Sequence, residues 1–353
     1  MNFGHGGNID EVSRLYGIEK DQIIDFSSNI NPLGLHENVR NAMIQGICEV
    51  DKYPDITYKS LIDAISEYEG VNHKNIVLGN GAGEVIFNIV RAIMPRNGLV
   101  FAPSFSEYSD ALEGVNCKVH HFYYGKDFSF DLSVLDMVEG MDIVFLCNPN
   151  NPTGGLTLRG NVISLAEKCR DLGATLVVDE SFLDFVEDSE EYSMISSIAE
   201  FNNVVVVKSL TKFYAFPGIR IGYGITSNSS YIEGYKRVCP PWNVNIVAMN
   251  GAIAALKESE YADETIRYIR DEGIRLYSEL GNIDGIKPYP PSVNYVLFKC
   301  LVNREIREEL IKKGILIRDC SNYEGLESGY YRVAVKRESE NNLLVAALKE
   351  VLK

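Results

Sequence analysis

The chain has 353 residues, 46% of them hydrophobic, and a formal net charge of −15 at pH 7. This acidic balance argues against nucleic acids and anionic membrane surfaces as partners, and apolar runs such as the four valines from Val204 are far shorter than a membrane span. Seven cysteines without CxxC spacing or a secretory signal predict reduced thiols in the cytoplasm, and five histidines without an HxxxH or HExxH pair leave metal catalysis unsupported.

A chain of this length and hydrophobic content is expected to form one large and one smaller domain. Strand-like runs, mostly separated by helix-like segments or turns, predict a doubly wound α/β sheet. From about Ala252 the sequence changes to a long charged helix, shorter strands and a final helix, which predicts an α+β unit. The strand-like runs begin near Ile76, Leu99, Lys118, Asp142, Thr175, Val204 and Ile219.

The first motif in chain order starts at Ile76, where a short strand, a glycine turn and a helix with apolar periodicity follow one another. At the start of that helix the backbone N–H groups of Ala82 and Gly83 would face an anion, which the helix dipole also favours. A dinucleotide site is the rival interpretation, but GNGAGE is not GxGxxG and the second half of a Rossmann unit is not evident. The loop therefore predicts one side of a phosphate site.

Two further motifs follow predicted strands, CNPNNPTGG from Cys147 and VVDESFLDF from Val177. The first is also ordinary turn sequence, and an isolated aspartate at a strand end also serves as a helix cap. At such a strand end, however, Asp179 can pair with the ring nitrogen of a cofactor and keep it protonated, which makes the ring an electron sink.

The segment SLTKFYAFPGIRIGYG, from Ser209 to Gly224, carries the strongest chemical signal. A lysine placed like Lys212, just after a strand, can form an imine with an aldehyde cofactor. Ser209 and Arg220 can hold a phosphate, the hydroxyl by hydrogen bonds and the guanidinium by a charge-assisted fork. These are the requirements of pyridoxal 5'-phosphate (PLP). For Lys212 on its own, a solvated surface lysine is the alternative.

Together, in their order and spacing, the motifs resemble the signature of the PLP-dependent fold-type I (class I/II) aminotransferases. The resemblance implies a mostly parallel, doubly wound large-domain sheet over 40–255, with a smaller α+β domain formed by 1–39 and 256–353. It also implies a homodimer, in which Tyr53 of the KYPD segment reaches the cofactor phosphate of the neighbouring subunit.

The resemblance assigns roles to single residues. It implies that Lys212 carries the Schiff base, that Asp179 pairs with the ring nitrogen and that Asn151 faces the 3'-oxygen of PLP. Phe105 in FAPSFSEY matches the aromatic residue that stacks on the pyridine ring. One position departs from the pattern, because many relatives have a tyrosine where this chain has Phe182, which leaves Asn151 as the main candidate partner of the oxygen.

Substrate residues are expected in the α+β unit and near the start of the chain. Arg332 in YYRVAV matches the family's substrate-carboxylate arginine, and a planar guanidinium binds a carboxylate or phosphate through two parallel hydrogen bonds. Arg318 in ILIRDC is a second such arginine, so two guanidiniums at one site imply a doubly anionic substrate. His5 and Asn29 complete the candidates for the substrate phosphate, although a histidine near a chain start is usually solvated.

A doubly anionic substrate points to the phosphorylated branch of the family, which contains histidinol-phosphate aminotransferases and the threonine-phosphate decarboxylases of cobalamin biosynthesis. The opening FGHGGNIDEVSRLYG, the segment DFSSNINPLG and the pair IRDCSNYEGL and YYRVAV resemble the decarboxylases. This implies PLP-dependent decarboxylation of L-threonine O-3-phosphate to (R)-1-amino-2-propanol phosphate and CO2. The alternatives are an aminotransferase for a phosphorylated substrate such as histidinol phosphate and, with little support, a non-catalytic PLP-fold binding protein.

Overall fold

The computed structural model describes residues 6–353, and helices pack around a large central sheet and two smaller sheets. The strands are β1 (Ile24–Asp25), β2 (Ile76–Gly79), β3 (Asn97–Ala102), β4 (Lys118–Tyr123), β5 (Ile143–Cys147), β6 (Thr175–Asp179), β7 (Val204–Ser209), β8 (Gly222–Ile225), β9 (Ile286–Pro288), β10 (Tyr295–Cys300), β11 (Ile315–Leu316), β12 (Arg318–Asp319) and β13 (Tyr330–Ala334). The α-helices are α1 (Ile9–Tyr16), α2 (Glu37–Ile47), α3 (Lys59–Glu69), α4 (Ala82–Ile93), α5 (Glu107–Glu113), α6 (Arg159–Asp171), α7 (Leu210–Phe213), α8 (Ser229–Val238), α9 (Ile246–Ala255), α10 (Ser259–Gly281), α11 (Ile306–Ile311) and α12 (Glu338–Val351).

The central sheet has the strand order β2-β8-β7-β6-β5-β3-β4. β8 is antiparallel to both of its neighbours, and the other neighbouring strands are parallel. All seven predicted strands belong to this sheet, so the prediction of a mostly parallel, doubly wound fold is confirmed. The strand predicted near Ile219 begins only at Gly222, because Pro217–Ile219 form a 3-10 turn and Arg220 adopts a left-handed backbone conformation with φ 56°.

The middle of this sheet positions the cavity described below. β5, β6 and β7 are buried at every residue, as expected for valine-rich parallel strands covered on both faces. Cys147 and Asp179, the last residues of β5 and β6, are paired in register, and Ser209 ends β7. Because parallel strands end at one edge of a sheet, these residues meet where ligands bind in open α/β sheets.

The first described part of the chain joins its last third. β9, β10, β13 and β12 form an antiparallel sheet, while β1 pairs in parallel with β11, with Ile24 opposite Ile315. The backbone N–H of Ala334 also donates to the carbonyl of Phe26 at 2.8 Å. A domain boundary near residue 255 stays a prediction. Across residues 6–353, the helices lack the combination of length and apolarity that a bilayer-spanning helix needs.

Candidate active site

A cavity of about 350 Å³ opens at the carboxyl edge of the central sheet, where β12, β13 and the loop after β1 face it. It brings together residues that sequence analysis selected from segments far apart in the chain. His5 lies outside the described residues, and Tyr53 lies elsewhere on the surface. The predicted residues that line the cavity are Asn29, Ala82, Gly83, Phe105, Asn151, Asp179, Ser209, Lys212, Arg220, Arg318 and Arg332.

Lys212 lies on the short helix α7, directly after β7. Its Nζ is 3.4 Å from Ser209 Oγ and 5.4 Å from the centre of the Phe182 ring. Burial holds the pKa of the Lys212 amine below its ordinary value of 10.5; Arg220 acts in the same direction and Asp179 opposes it. A lowered pKa leaves more of the amine neutral, which is the form that attacks an aldehyde carbon.

A cradle for an anion forms between the start of α4 and Arg220. A Cβ added at Gly81, whose φ is +85°, would lie 2.5 Å from Arg220 Nη2, so only glycine lets the guanidinium approach the turn. On another side, Ser209 Oγ lies 2.9 Å from Thr211 Oγ1. The N-terminus of the 12-residue helix α4 adds free backbone N–H groups. These donors fit a phosphate group.

The carboxylate of Asp179 is nearly buried and held by two donors. Oδ1 accepts from the backbone N–H of Ser181 at 2.9 Å, and Oδ2 accepts from the Tyr108 hydroxyl at 2.6 Å. Beside it, burial and the Asp179 charge raise the pKa of the Cys147 thiol to about 12, so this cysteine stays protonated at neutral pH. With Cys147 neutral, the Asp179 carboxylate is the fixed negative charge with which a cationic ring nitrogen can pair.

The Asn151 side chain is oriented from the small sheet. Its Oδ1 accepts a hydrogen bond from Arg332 Nη1 and a longer one, 3.4 Å, from the Tyr323 hydroxyl. With the oxygen engaged by two donors, the amide nitrogen is the group left to donate to a cavity ligand. This orientation suits an oxyanion such as the 3'-oxygen of PLP. Phe182, whose ring lies below Lys212, offers no hydroxyl for that purpose.

Arg318 and Arg332 lie opposite each other on β12 and β13, and both are 5% exposed. Arg332 Nη2 donates to the Ser27 carbonyl at 2.9 Å, and Arg318 Nη2 donates to Asn322 Oδ1 at 2.8 Å. Within residues 6–353, Arg332 Nε and Asn29 Oδ1 are buried and make no hydrogen bond. Two buried guanidiniums at one cavity favour a doubly anionic ligand.

Tyr53 is 80% exposed and lies outside the cavity, with its ring 4.7 Å from that of Trp242. Sequence analysis missed Tyr108 and Tyr323, although both line the cavity and contact predicted residues. Tyr108 follows Phe105 by three residues, but Phe105 precedes the helix that begins at Glu107, so helical spacing gave no signal for Tyr108. For Tyr323 we find no local signal.

The comparisons with known proteins agree with this geometry. The family model described as aminotransferase class I and II matches residues 21–348. The threonine-phosphate decarboxylase of Salmonella typhimurium is 37% identical, and the alignment covers 100% of this chain and 97% of that protein. A bifunctional protein of adenosylcobalamin biosynthesis from Leptospira interrogans is 32% identical over 98% of this chain and 41% of that protein.

A solved structure shows the same fold. The histidinol-phosphate aminotransferase of Clostridium acetobutylicum superimposes with a TM-score of 0.88 at 33% identity, covering 92% of this chain and 98% of that one. The family match spans nearly the whole described chain, from residue 21 to residue 348. The matched range therefore includes every cavity residue named above, outside as well as inside the PLP-like motifs.

Proposed function

This chain belongs to the class I and II aminotransferase family, and we propose that within it the protein is a PLP-dependent threonine-phosphate decarboxylase. It converts L-threonine O-3-phosphate to (R)-1-amino-2-propanol phosphate and CO2, as a step of cobalamin biosynthesis. The observation that indicates a phosphorylated substrate is the pair of buried arginines, Arg318 and Arg332, at the cavity that also contains Lys212. The full-length similarity to the Salmonella decarboxylase supports this reaction over transamination.

The residues of the cavity fit PLP. Lys212 would attach it, Asp179 would pair with its ring nitrogen, and Ser209, Arg220 and the start of α4 would hold its phosphate. When bound, PLP supplies an electron sink for the pair of electrons released as a bond to the substrate Cα breaks. The protein supplies binding, orientation and fixed charge around it.

The chain's own residues then determine the reaction. The arginines bind the substrate phosphate and orient the substrate, and its carboxylate, left without a clamp, can turn to the position from which CO2 is lost. Loss of CO2 leaves an electron pair at Cα, which takes up one proton, and the substrate nitrogen stays on the product. Lys212 can deliver that proton once its amine has accepted one from the ammonium group of the incoming substrate, and its lowered pKa makes the protonated form a stronger acid.

We further propose a cytoplasmic homodimer. All seven cysteines are free thiols, which suits a reducing compartment. Apolar side chains are exposed along one stretch of chain around Tyr53, an arrangement typical of a surface that another protein covers. The partner that fits best is a second copy, with Tyr53 reaching its cofactor phosphate. The exposed side chains are Ile44, Ile47, Val50, Tyr53 and Ile56.

The alternative function is transamination of a phosphorylated substrate such as histidinol phosphate, and the solved aminotransferase structure above favours it. The deciding experiment incubates the holoenzyme with L-threonine O-3-phosphate or histidinol phosphate, with and without 2-oxoglutarate, and identifies products by mass spectrometry. The decarboxylase releases CO2, keeps nitrogen on the product and needs no keto acid. A far higher kcat/KM for histidinol-phosphate transamination would overturn the proposal, because rate reports which transition state the site favours.

A further inference from the structure

We propose that Tyr108 is a positioning residue, whose hydroxyl fixes the Asp179 carboxylate and whose ring supports Phe105, so that one side chain sets two walls of the cofactor site. The inference rests on the proposed PLP-dependent function. Tyr108 lies on α5 and is fully buried, and its hydroxyl donates to Asp179 Oδ2 at 2.6 Å. This is the shorter of the two hydrogen bonds described for that carboxylate.

The Tyr108 ring is held by stacking. It lies 12° from parallel to the Phe145 ring, with centroids 5.0 Å apart, and Phe145 belongs to the buried strand β5. On another side, Phe105 meets it edge to face at 5.7 Å and 82°. Since aromatic contacts of this geometry restrict both rings, the position of Phe105 depends on Tyr108, and the position of Tyr108 depends on the central sheet.

The hydroxyl acts as a donor at every physiological pH. Burial first, and then the Asp179 charge, raise the pKa of Tyr108 well above its ordinary value of 10, so the phenol keeps its proton. A neutral donor stabilises the anionic form of Asp179 without cancelling its charge. Without it, the carboxylate would keep the Ser181 N–H as a partner on Oδ1 and lose the contact that fixes its second oxygen.

The test is Tyr108→Phe, which keeps the ring and removes only the hydroxyl. Losing a hydrogen bond to a charged group should lower kcat by roughly 10- to 100-fold while KM changes much less. The visible absorption of the bound cofactor should titrate with a midpoint shifted by about half a pH unit or more, since the charge beside the ring is less well fixed. The affinity of the apoprotein for PLP, measured by fluorescence quenching, should fall about tenfold.

Tyr235→Phe is the matched control. Tyr235 is buried in the same apolar cluster, does not line the cavity, and donates one hydrogen bond, to the Leu78 carbonyl at 2.8 Å. It should lose a comparable amount of thermal stability, with kcat, absorption midpoint and PLP affinity unchanged. If Tyr108→Phe behaves like Tyr235→Phe in these three measurements, Tyr108 is only a core residue and the inference is wrong.

A double-mutant cycle separates positioning of Asp179 from a general loss of packing. In an Asp179→Asn background, Tyr108→Phe should add little to the loss in kcat, because the carboxylate that it positions is already gone. Fully additive losses would overturn the inference. The absorption and affinity measurements need no substrate, so they test Tyr108 even if the decarboxylase assignment fails on product analysis.

Discussion

The guanidinium of Arg220 packs against the backbone of Gly81, so closely that a Cβ at Gly81 would lie 2.5 Å from Arg220 Nη2. Gly81→Ala must therefore displace the guanidinium or the turn, and it also places alanine at a φ of +85°. We expect the affinity for PLP, measured by equilibrium dialysis, to fall by roughly 10- to 100-fold, the loss typical of one charge-assisted contact.

Gly70→Ala is the control for that substitution. Gly70 also has a positive φ, +66°, but an added Cβ there meets no atom within 4 Å, and the residue lies at the end of α3, outside the cavity. It should lower stability slightly and leave PLP affinity intact. Equal effects of the two alanines would mean that backbone strain, and not the Arg220 contact, explains the result.

Lys212→Ala should abolish turnover by several orders of magnitude, as expected when a covalent catalyst is removed. The purified wild-type protein should be yellow, and borohydride should fix the cofactor to Lys212 in a peptide map. Lys208 is an internal comparison, because its Nζ is paired with Asp184 Oδ1 at 2.6 Å and it does not line the cavity. Labelling of Lys208, or near wild-type activity of Lys212→Ala, would contradict this assignment and would mean that Lys212 is not the catalytic lysine.

Asp179→Asn tests the carboxylate beside the ring nitrogen. The amide still fills the space and still binds the Ser181 N–H, but it carries no negative charge. We expect PLP to bind and kcat to fall by at least roughly 100-fold, the order seen when one preorganised electrostatic partner is lost. Steady-state kinetics measures the loss, and unchanged turnover would refute the role.

The proposed dimer predicts complementation between inactive variants. If Tyr53 serves the partner's site, mixing Lys212→Ala with an inactive Tyr53→Ala variant should restore part of the activity through hybrid dimers. Trp242→Ala, which removes the ring that packs against Tyr53, should weaken the same site without touching the cavity. Analytical ultracentrifugation gives the oligomeric state, and fully active monomers would show that the dimer proposal is wrong.

Because the Glu180 carboxyl is buried, we predict that the free energy of unfolding depends on pH. Burial raises the pKa of its carboxyl to about 7, from an ordinary 4.5, although Lys208 and bonds from Ser193 and Met194 oppose the shift. The folded protein thus holds a proton that the unfolded chain releases, so the free energy of unfolding should fall as pH rises from about 4.5 to about 7. Glu180→Gln should reduce this fall, by at most about 3 kcal/mol.

Urea denaturation of the apoprotein at several pH values measures the effect. Glu67 lies on α3 with its side chain exposed, so Glu67→Gln is a control that should leave the slope as in the wild type. The same slope in Glu180→Gln would mean that other groups account for the dependence.

Much of the fold and of the cavity could be predicted because the motifs stand at the ends of apolar strands. Once parallel pairing of β5, β6 and β7 is inferred, Cys147, Asp179 and Ser209 must meet at one edge. The strand predicted near Ile219 begins three residues later. The left-handed conformation of Arg220 delays its start, and the apolar pattern of the sequence gives no sign of that conformation.

The supporting contacts could not be predicted from the sequence. Tyr108 and Tyr323 act through partners 71 and 172 residues away in the chain, and no local pattern encodes such separations. The same is true of Lys208, a residue of β7 whose buried ammonium is paired with Asp184 and lies 3.9 Å from Glu69. Tertiary packing decides these positions.

The parallel pairing of β1 with β11 also has a consequence for the order in which the chain can fold. Ile24 is synthesised before the strands of the central sheet, whereas its partner Ile315 is synthesised after them. The seven strands of the central sheet all lie between Ile76 and Ile225, so this sheet can form before β11, the partner of β1, has been synthesised. Arg318 and Arg332 follow β11 and are synthesised after the central sheet, so a chain still being synthesised can complete the lysine side of its cavity before the two arginines join it.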